Sequence, residues 1–141
     1  MKKISVKIDQ KELMVNFWET AIENPRGIFY IHHGMAEHID RYDYFAEQLN
    51  SKGYHVVGHN HLGHGNNKEN GEGIFAKSQG WNKVCKEACA VNDHFCNLYP
   101  NIPSYLFGHS MGAFITITSL RGIKNLKGVF LTGTFLPSKG Q

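Results

Sequence analysis

Tyr105-Leu106-Phe107-Gly108-His109-Ser110-Met111-Gly112-Ala113-Phe114 is the stretch whose reading decides the fold. A short apolar run leads into Gly-x-Ser-x-Gly, and an apolar segment follows at once. A serine hydroxyl is a weak nucleophile unless it is held exposed beside a base. A sharp strand-to-helix turn does the holding, and its crowded backbone leaves room only for glycine two residues to either side of the serine. The helix that follows aims its amino end, with unpaired N–H groups and the positive end of its dipole, at charge developing near Ser110. The five-residue pattern alone arises by chance in roughly a few per cent of chains this long, so the flanking strand and helix carry the reading. Residue preference would make Phe114-Ile115-Thr116-Ile117-Thr118 a strand. The motif requires a helix there, and the motif decides.

Outward from that stretch, strands and helices alternate. Ile4–Ile8 and Leu13–Glu19 alternate apolar and polar residues around the polar Asp9-Gln10-Lys11-Glu12, which predicts a β-hairpin at a sheet edge. Asn24-Pro25-Arg26-Gly27 is a turn, and Ile28-Phe29-Tyr30-Ile31 runs apolar without alternation, as a central strand covered on both faces does. A helix through Tyr42, Phe45, Ala46 and Leu49 stops at Gly53, and Tyr54–Val57 is another short buried strand. His59 to Gly73, rich in glycine and asparagine, reads as an irregular loop. A long amphipathic helix fits Gln79 to Tyr99, closed off by Pro100 and Pro103. The helix after Ser110 spans Gly112 to Leu120, and Lys127–Thr132 is a last strand. The pattern is that of an α/β protein with a mostly parallel sheet flanked by helices.

Composition sets the bounds. The 141 residues have room for a single domain with one modest core. A net charge of +3 without a basic run or stripe does not imply nucleic acid. Met1-Lys2-Lys3 is followed by Ser5, Lys7, Asp9 and Gln10, which deny a signal peptide its apolar region, and no stretch is long and apolar enough to span a bilayer. The three cysteines, odd in number and close together, are not a disulfide framework, so a reducing, cytoplasmic setting is expected.

Three blocks, His33-Gly34-Met35-Ala36-Glu37-His38 with Arg41-Tyr42, His61-Leu62-Gly63-His64-Gly65, and Gly108-His109-Ser110-Met111-Gly112, stand in the order and spacing of one group. The chain resembles the monoacylglycerol lipase / lysophospholipase-like branch of the α/β-hydrolases, over nearly its whole length. The resemblance implies the α/β-hydrolase fold, with residues 1–141 as its partial, N-terminal part. It implies a serine hydrolase of carboxylic esters with Ser110 as nucleophile and no cofactor. The oxyanion hole would be the backbone N–H groups of Met35 and Met111, one donor from each loop as the fold arranges them. Gly108, His109 and Gly112 would build the elbow, and His33 and Gly34 would shape the facing loop. The partners implied are a small acyl ester, a lipid surface in transient contact, and either a complementary C-terminal half or a second copy of the chain.

Two features depart from that group. Asn60 stands where it usually has Asp, and Asn66 and Asn67 where it usually has Ser, which changes loop hydrogen bonding. In this fold the catalytic acid and histidine follow the serine in chain order. Residues 111–141 contain no Asp, Glu or His, so the triad is incomplete in this chain. The alternative reading is a non-catalytic fragment, or half of a split hydrolase.

The nine histidines, chiefly His32, His33, His59, His61, His64 and His109, invite a metal reading. They sit in glycine-rich loops without an evident converging ligand set, so they are read as structural and no metal is expected. His33 and His109 are the candidates for a base inside this chain, although an elbow points neighbouring side chains elsewhere. Cys85, Cys89 and Cys96 share a helical face with Trp81, Ala88 and Phe95 and are expected to pack as small hydrophobes.

Overall fold

A computed structural model describes residues 1–134. Six strands form one sheet: β1 (Lys2–Ile8), β2 (Lys11–Trp18), β3 (Gly27–His32), β4 (Tyr54–His59), β5 (Ser104–His109) and β6 (Leu126–Thr132). Their order across the sheet is β1-β2-β4-β3-β5-β6. β3, β4, β5 and β6 run parallel, while β2 is antiparallel to both β1 and β4. The hairpin therefore lies at one edge, joined by the two-residue turn Asp9-Gln10.

Three helices cover the sheet: α1 (Asp43–Ser51), α2 (Gly80–Leu98) and α3 (Met111–Ser119). Alternation along β3 explains its unbroken apolar run. Ile28 and Tyr30 face Val91 and Phe95 of α2 with Val6, Leu13, Phe17 and Leu106. Phe29 and Ile31 face the opposite way, toward Ala46 of α1 with Trp18, Ile39 and Val56. All six residues of β3 are buried, as expected for a strand between two helical layers. A third cluster joins α2 to α3 through Val84, Cys85, Ala88, Ile115 and Leu62. Cys85 and Phe95 thus belong to different clusters, because the long α2 first crosses α3 and then the sheet. All three cysteines are free.

The remaining differences from the sequence reading are small. A 3₁₀ turn at Ile39–Tyr42 precedes α1, β4 extends to His59, and Leu120–Gly122 ends α3 as a second 3₁₀ turn. Phe114–Thr118 is helical, so tertiary context overrides its strand preference.

One part-buried ion pair fastens the hairpin to the loop after β4 and to α2. Lys11 Nζ lies 2.7 Å from Glu87 Oε2, and Asn67 Nδ2 donates to Glu87 Oε1 at 2.9 Å. The Glu87 side chain is 7% exposed. Removing one partner of such a pair leaves the other uncompensated. Lys11 keeps Glu69 at 2.9 Å, so Glu87→Ala is expected at the low end of the usual range, about 3 kcal/mol. Thermal unfolding should fall by about 10 °C; an unchanged midpoint would show that the pair contributes nothing net.

Candidate active site

The parallel register of β3 and β5 pairs His32 with Gly108, so the loops leaving these strands emerge side by side. Ser110 sits between β5 and α3 with φ 54° and ψ −118°. A non-glycine residue in that region is strained by about 1–3 kcal/mol and persists only where its surroundings enforce it. Here they do. The Ser110 N–H donates to Thr132 O of β6 at 2.9 Å, and its carbonyl accepts from Ala113 N–H at 2.9 Å.

Close approach explains both glycines of the motif. A Cβ on Gly108 would lie 2.5 Å from Thr116 Oγ1 and 2.6 Å from the Gly112 carbonyl oxygen. A Cβ on Gly112 would overlap the His32 carbonyl. The Thr116 hydroxyl donates to Gly112 O at 2.8 Å, so its oxygen accepts from His32 Nδ1–H at 2.7 Å. These bonds tie the first turn of α3 to the end of β3.

The β3 loop faces Ser110 closely: a Cβ on Gly34 would be 3.3 Å from Ser110 Cβ. The Gly34 N–H donates to Glu37 Oε1, which also accepts the Tyr42 hydroxyl at 2.6 Å. Partial burial alone would raise the Glu37 pKa, but the hydrogen bonds from Tyr42 and Gly34 outweigh it and hold the carboxyl below its ordinary range. Met35 and Met111 line one cleft of about 350 Å³ together with Gly63, His64 and Phe75. Neither Met35 N–H nor Met111 N–H has a hydrogen-bond partner among the described residues.

The loop after β4 laces the β3 loop in place. Asn60 Oδ1 accepts Ile39 N–H at 2.8 Å, and Asn67 Nδ2 donates to Asn60 O at 2.9 Å. Asn60 Nδ2 donates to Asn66 Oδ1 at 3.0 Å. The asparagines that depart from the group's usual pattern therefore make loop hydrogen bonds.

His33 is buried with both ring nitrogens engaged. Nδ1–H donates to Gly34 O at 2.7 Å, and Nε2 accepts His61 N–H at 3.1 Å. Burial lowers its pKa to about 4. Both of its ring nitrogens are thus committed to backbone groups of the loops after β3 and β4. His109 turns its Nδ1 to Thr132 Oγ1 at 2.9 Å, toward β6. His32, His59 and His61 are buried and neutral, their pKa values pushed down by desolvation. Among the described residues no group of three or more His, Cys, Asp or Glu converges in a way that could hold a metal ion.

The sequence reading did not single out Thr116, Thr132 or Glu37 as builders of the site. Glu37 stood inside a quoted block, but nothing in a sequence shows which amide a carboxylate will accept. The bonds of Thr116 and Thr132 depend on tertiary contacts.

Residues 23–141 match the family described as Serine aminopeptidase, S33. The chain belongs to that family. It is 34% identical over 119 residues to a monoglyceride lipase homolog of Monkeypox virus, covering 84% of this chain and 41% of the relative. It is 30% identical over 112 residues to the monoglyceride lipase of Mus musculus, covering 79% of this chain and 35% of that protein. Its fold superposes on a thermostable carboxyl esterase from Bacillus coagulans, solved in complex with glycerol, with a TM-score of 0.79 and 25% identity. That match covers 94% of this chain and 44% of the esterase. The fold is that of the α/β-hydrolases, and the chain spans less than half the length of these relatives. No helix among the described residues is long and apolar enough to cross a membrane.

Proposed function

We propose that this chain is the nucleophile-bearing part of a serine hydrolase of carboxylic esters, acting on monoacylglycerol-like or lysophospholipid-like substrates. The observation that carries the reading is the strained Ser110 at the start of α3, facing a loop whose Met35 N–H, like that of Met111, has no partner among the described residues. Ser110 Oγ attacks the acyl carbonyl carbon and gives up its proton to a base. The oxygen that becomes negative is received by the amides of Met35 and Met111. Collapse of the tetrahedral intermediate breaks the ester C–O bond, and the departing alcohol takes the proton from the base. Water then repeats the sequence on the acyl-serine. The relatives' names support this substrate class. Three free thiols fit a reducing compartment.

The base comes from elsewhere. Residues 111–141 supply no Asp, Glu or His, and the ring nitrogens of His33 are occupied. The acid and histidine are therefore assigned to the downstream half that the longer relatives possess. A second reading, a half-domain that needs a partner chain, is favoured by β6. It bounds the sheet of the described residues, and Leu126, Val129 and Phe130 are 39%, 37% and 49% exposed. An apolar edge strand invites pairing with further strands, supplied by the downstream half or by another copy.

The test compares p-nitrophenyl butyrate and monoacylglycerol turnover by the 141-residue chain, by a chain carrying the downstream half, and by the Ser110→Ala form of the longer chain. The longer chain is expected to turn over both. The short chain should fall to the Ser110→Ala level, where donors and binding alone leave about 10³–10⁴-fold over water. Strong turnover by the short chain, lost on Ser110→Ala, would place the base inside residues 1–141 and contradict this reading.

A further inference from the structure

In the run Gly34-Met35-Ala36 the two outer amides are tied and the middle one is not. Gly34 N–H donates to Glu37 Oε1, and Ala36 N–H donates to His64 Nε2 at 3.2 Å. Met35 N–H has no partner among the described residues. Ala36 has φ 59°, a left-handed conformation that costs a non-glycine residue about 1–2 kcal/mol. Such a residue relaxes unless a bond holds it.

The His64 ring is itself fixed. Its Nδ1–H donates to Leu62 O at 3.1 Å, which leaves Nε2 as the unprotonated acceptor. Its backbone is pinned by Asn67 N–H to His64 O at 2.9 Å and His64 N–H to His61 O at 3.0 Å. The residue is buried, 6% exposed, although it lines the cleft. A buried, doubly bonded histidine whose acceptor nitrogen meets the amide next to an unpaired one has a defined mechanical role.

We propose that His64 is a positioning residue: by accepting the Ala36 N–H it holds the turn that presents Met35 N–H to the cleft beside Ser110. This rests on the reading of Met35 as an oxyanion donor. His64 does not touch the reacting atoms, because its acceptor nitrogen is committed to Ala36. Without that bond Ala36 returns to negative φ, and the Met35 amide leaves its place.

The test uses two polar replacements in the ¹⁵N-labelled 141-residue chain. The His64→Gln side chain reaches the Nε2 position and can accept from Ala36. The His64→Asn side chain stops near the Nδ1 position and cannot. The Met35 amide resonance is read in each, and the rate of Ser110 phosphonylation by a fluorophosphonate probe is read in the same variants of the chain carrying the downstream half. His64→Asn is expected to displace the Met35 resonance and to slow phosphonylation about 100-fold, the loss of one donor. His64→Gln should keep the resonance and recover the rate to within about tenfold of wild type. A wild-type Met35 resonance in His64→Asn overturns the proposal, as does equal displacement in both variants, which would mean that the ring acts only by packing. Should His64→Asn fail to fold, the Gln variant decides: a retained resonance supports the proposal and a displaced one overturns it. If the wild-type longer chain forms no Ser110 adduct, the reading of Ser110 fails, while the Met35 resonances still decide the role of His64.

Discussion

Gly112→Ala is expected to be the most damaging single-methyl change in the chain, costing about 3 kcal/mol or more and leaving little folded protein. The added Cβ would overlap the His32 carbonyl and stand 2.5 Å from the His33 carbonyl oxygen. Both neighbours are backbone at the end of the central strand β3, where His32 pairs with Gly108 of β5 and His33 follows directly, so neither can give way cheaply. Gly73→Ala is the control. Nothing lies within 4 Å of a Cβ there, and only its φ of 71° is unfavourable, worth about 1 kcal/mol. Soluble yield and guanidinium midpoints of the two variants check the contrast. A Gly112→Ala protein as stable as Gly73→Ala would mean that the α3–β3 approach is looser than its geometry states.

Acid should unfold the protein through its histidines. His32 and His33 have pKa values of about 4 against an ordinary 6.5, and His59 and His61 lie well below 6.5. Desolvation is the first cause for each. A depressed folded pKa means that, between that value and 6.5, the unfolded chain binds more protons than the folded one. Stability is therefore full above about pH 6.5 and falls as pH drops through this window, by about 1.4 kcal/mol per pH unit for each such histidine. Two histidines alone remove about 5 kcal/mol by about pH 4.5, comparable with the whole stability of many domains. Glu37 and Asp40, both held below their ordinary values, add a loss of the same sign at lower pH. The guanidinium midpoint should drop steeply between about pH 6.5 and pH 4.5. A midpoint that stays flat there would mean that these rings are protonated in the folded state.

The architecture was legible because its signals are local and redundant. The unbroken Ile28–Ile31 run announced a strand covered twice, and the alternating hairpin announced an edge. The Gly-x-Ser-x-Gly context overruled residue preference for α3. The proposed roles of Ser110, Met35 and Met111 rest on the same kind of local signal, and the structure puts Ser110 at a strand-to-helix turn with Met35 and Met111 lining one cleft. What the sequence hid is relational. The bond that occupies His33 Nε2 comes from the His61 N–H, in another strand's loop. The Ala36 conformation and its tie to His64 join residues 28 apart. The Lys11–Glu87 pair joins residues 76 apart, and nothing in the residue type says that Glu87 will be buried. Periodicity put Cys85 and Phe95 on one face without showing that α2 spends that face on two different neighbours.

The account turns on Ser110, and covalent capture tests it most directly. A fluorophosphonate probe is reacted with the chain carrying the downstream half, and the adduct is located by peptide mass spectrometry, with Ser110→Ala alongside. The expected result is a single adduct on the peptide containing Ser110, absent from the Ala variant and absent or at least about 100-fold slower in the 141-residue chain, since the proposal assigns the base to the downstream half. An adduct on any other residue, or labelling that survives Ser110→Ala, would contradict it.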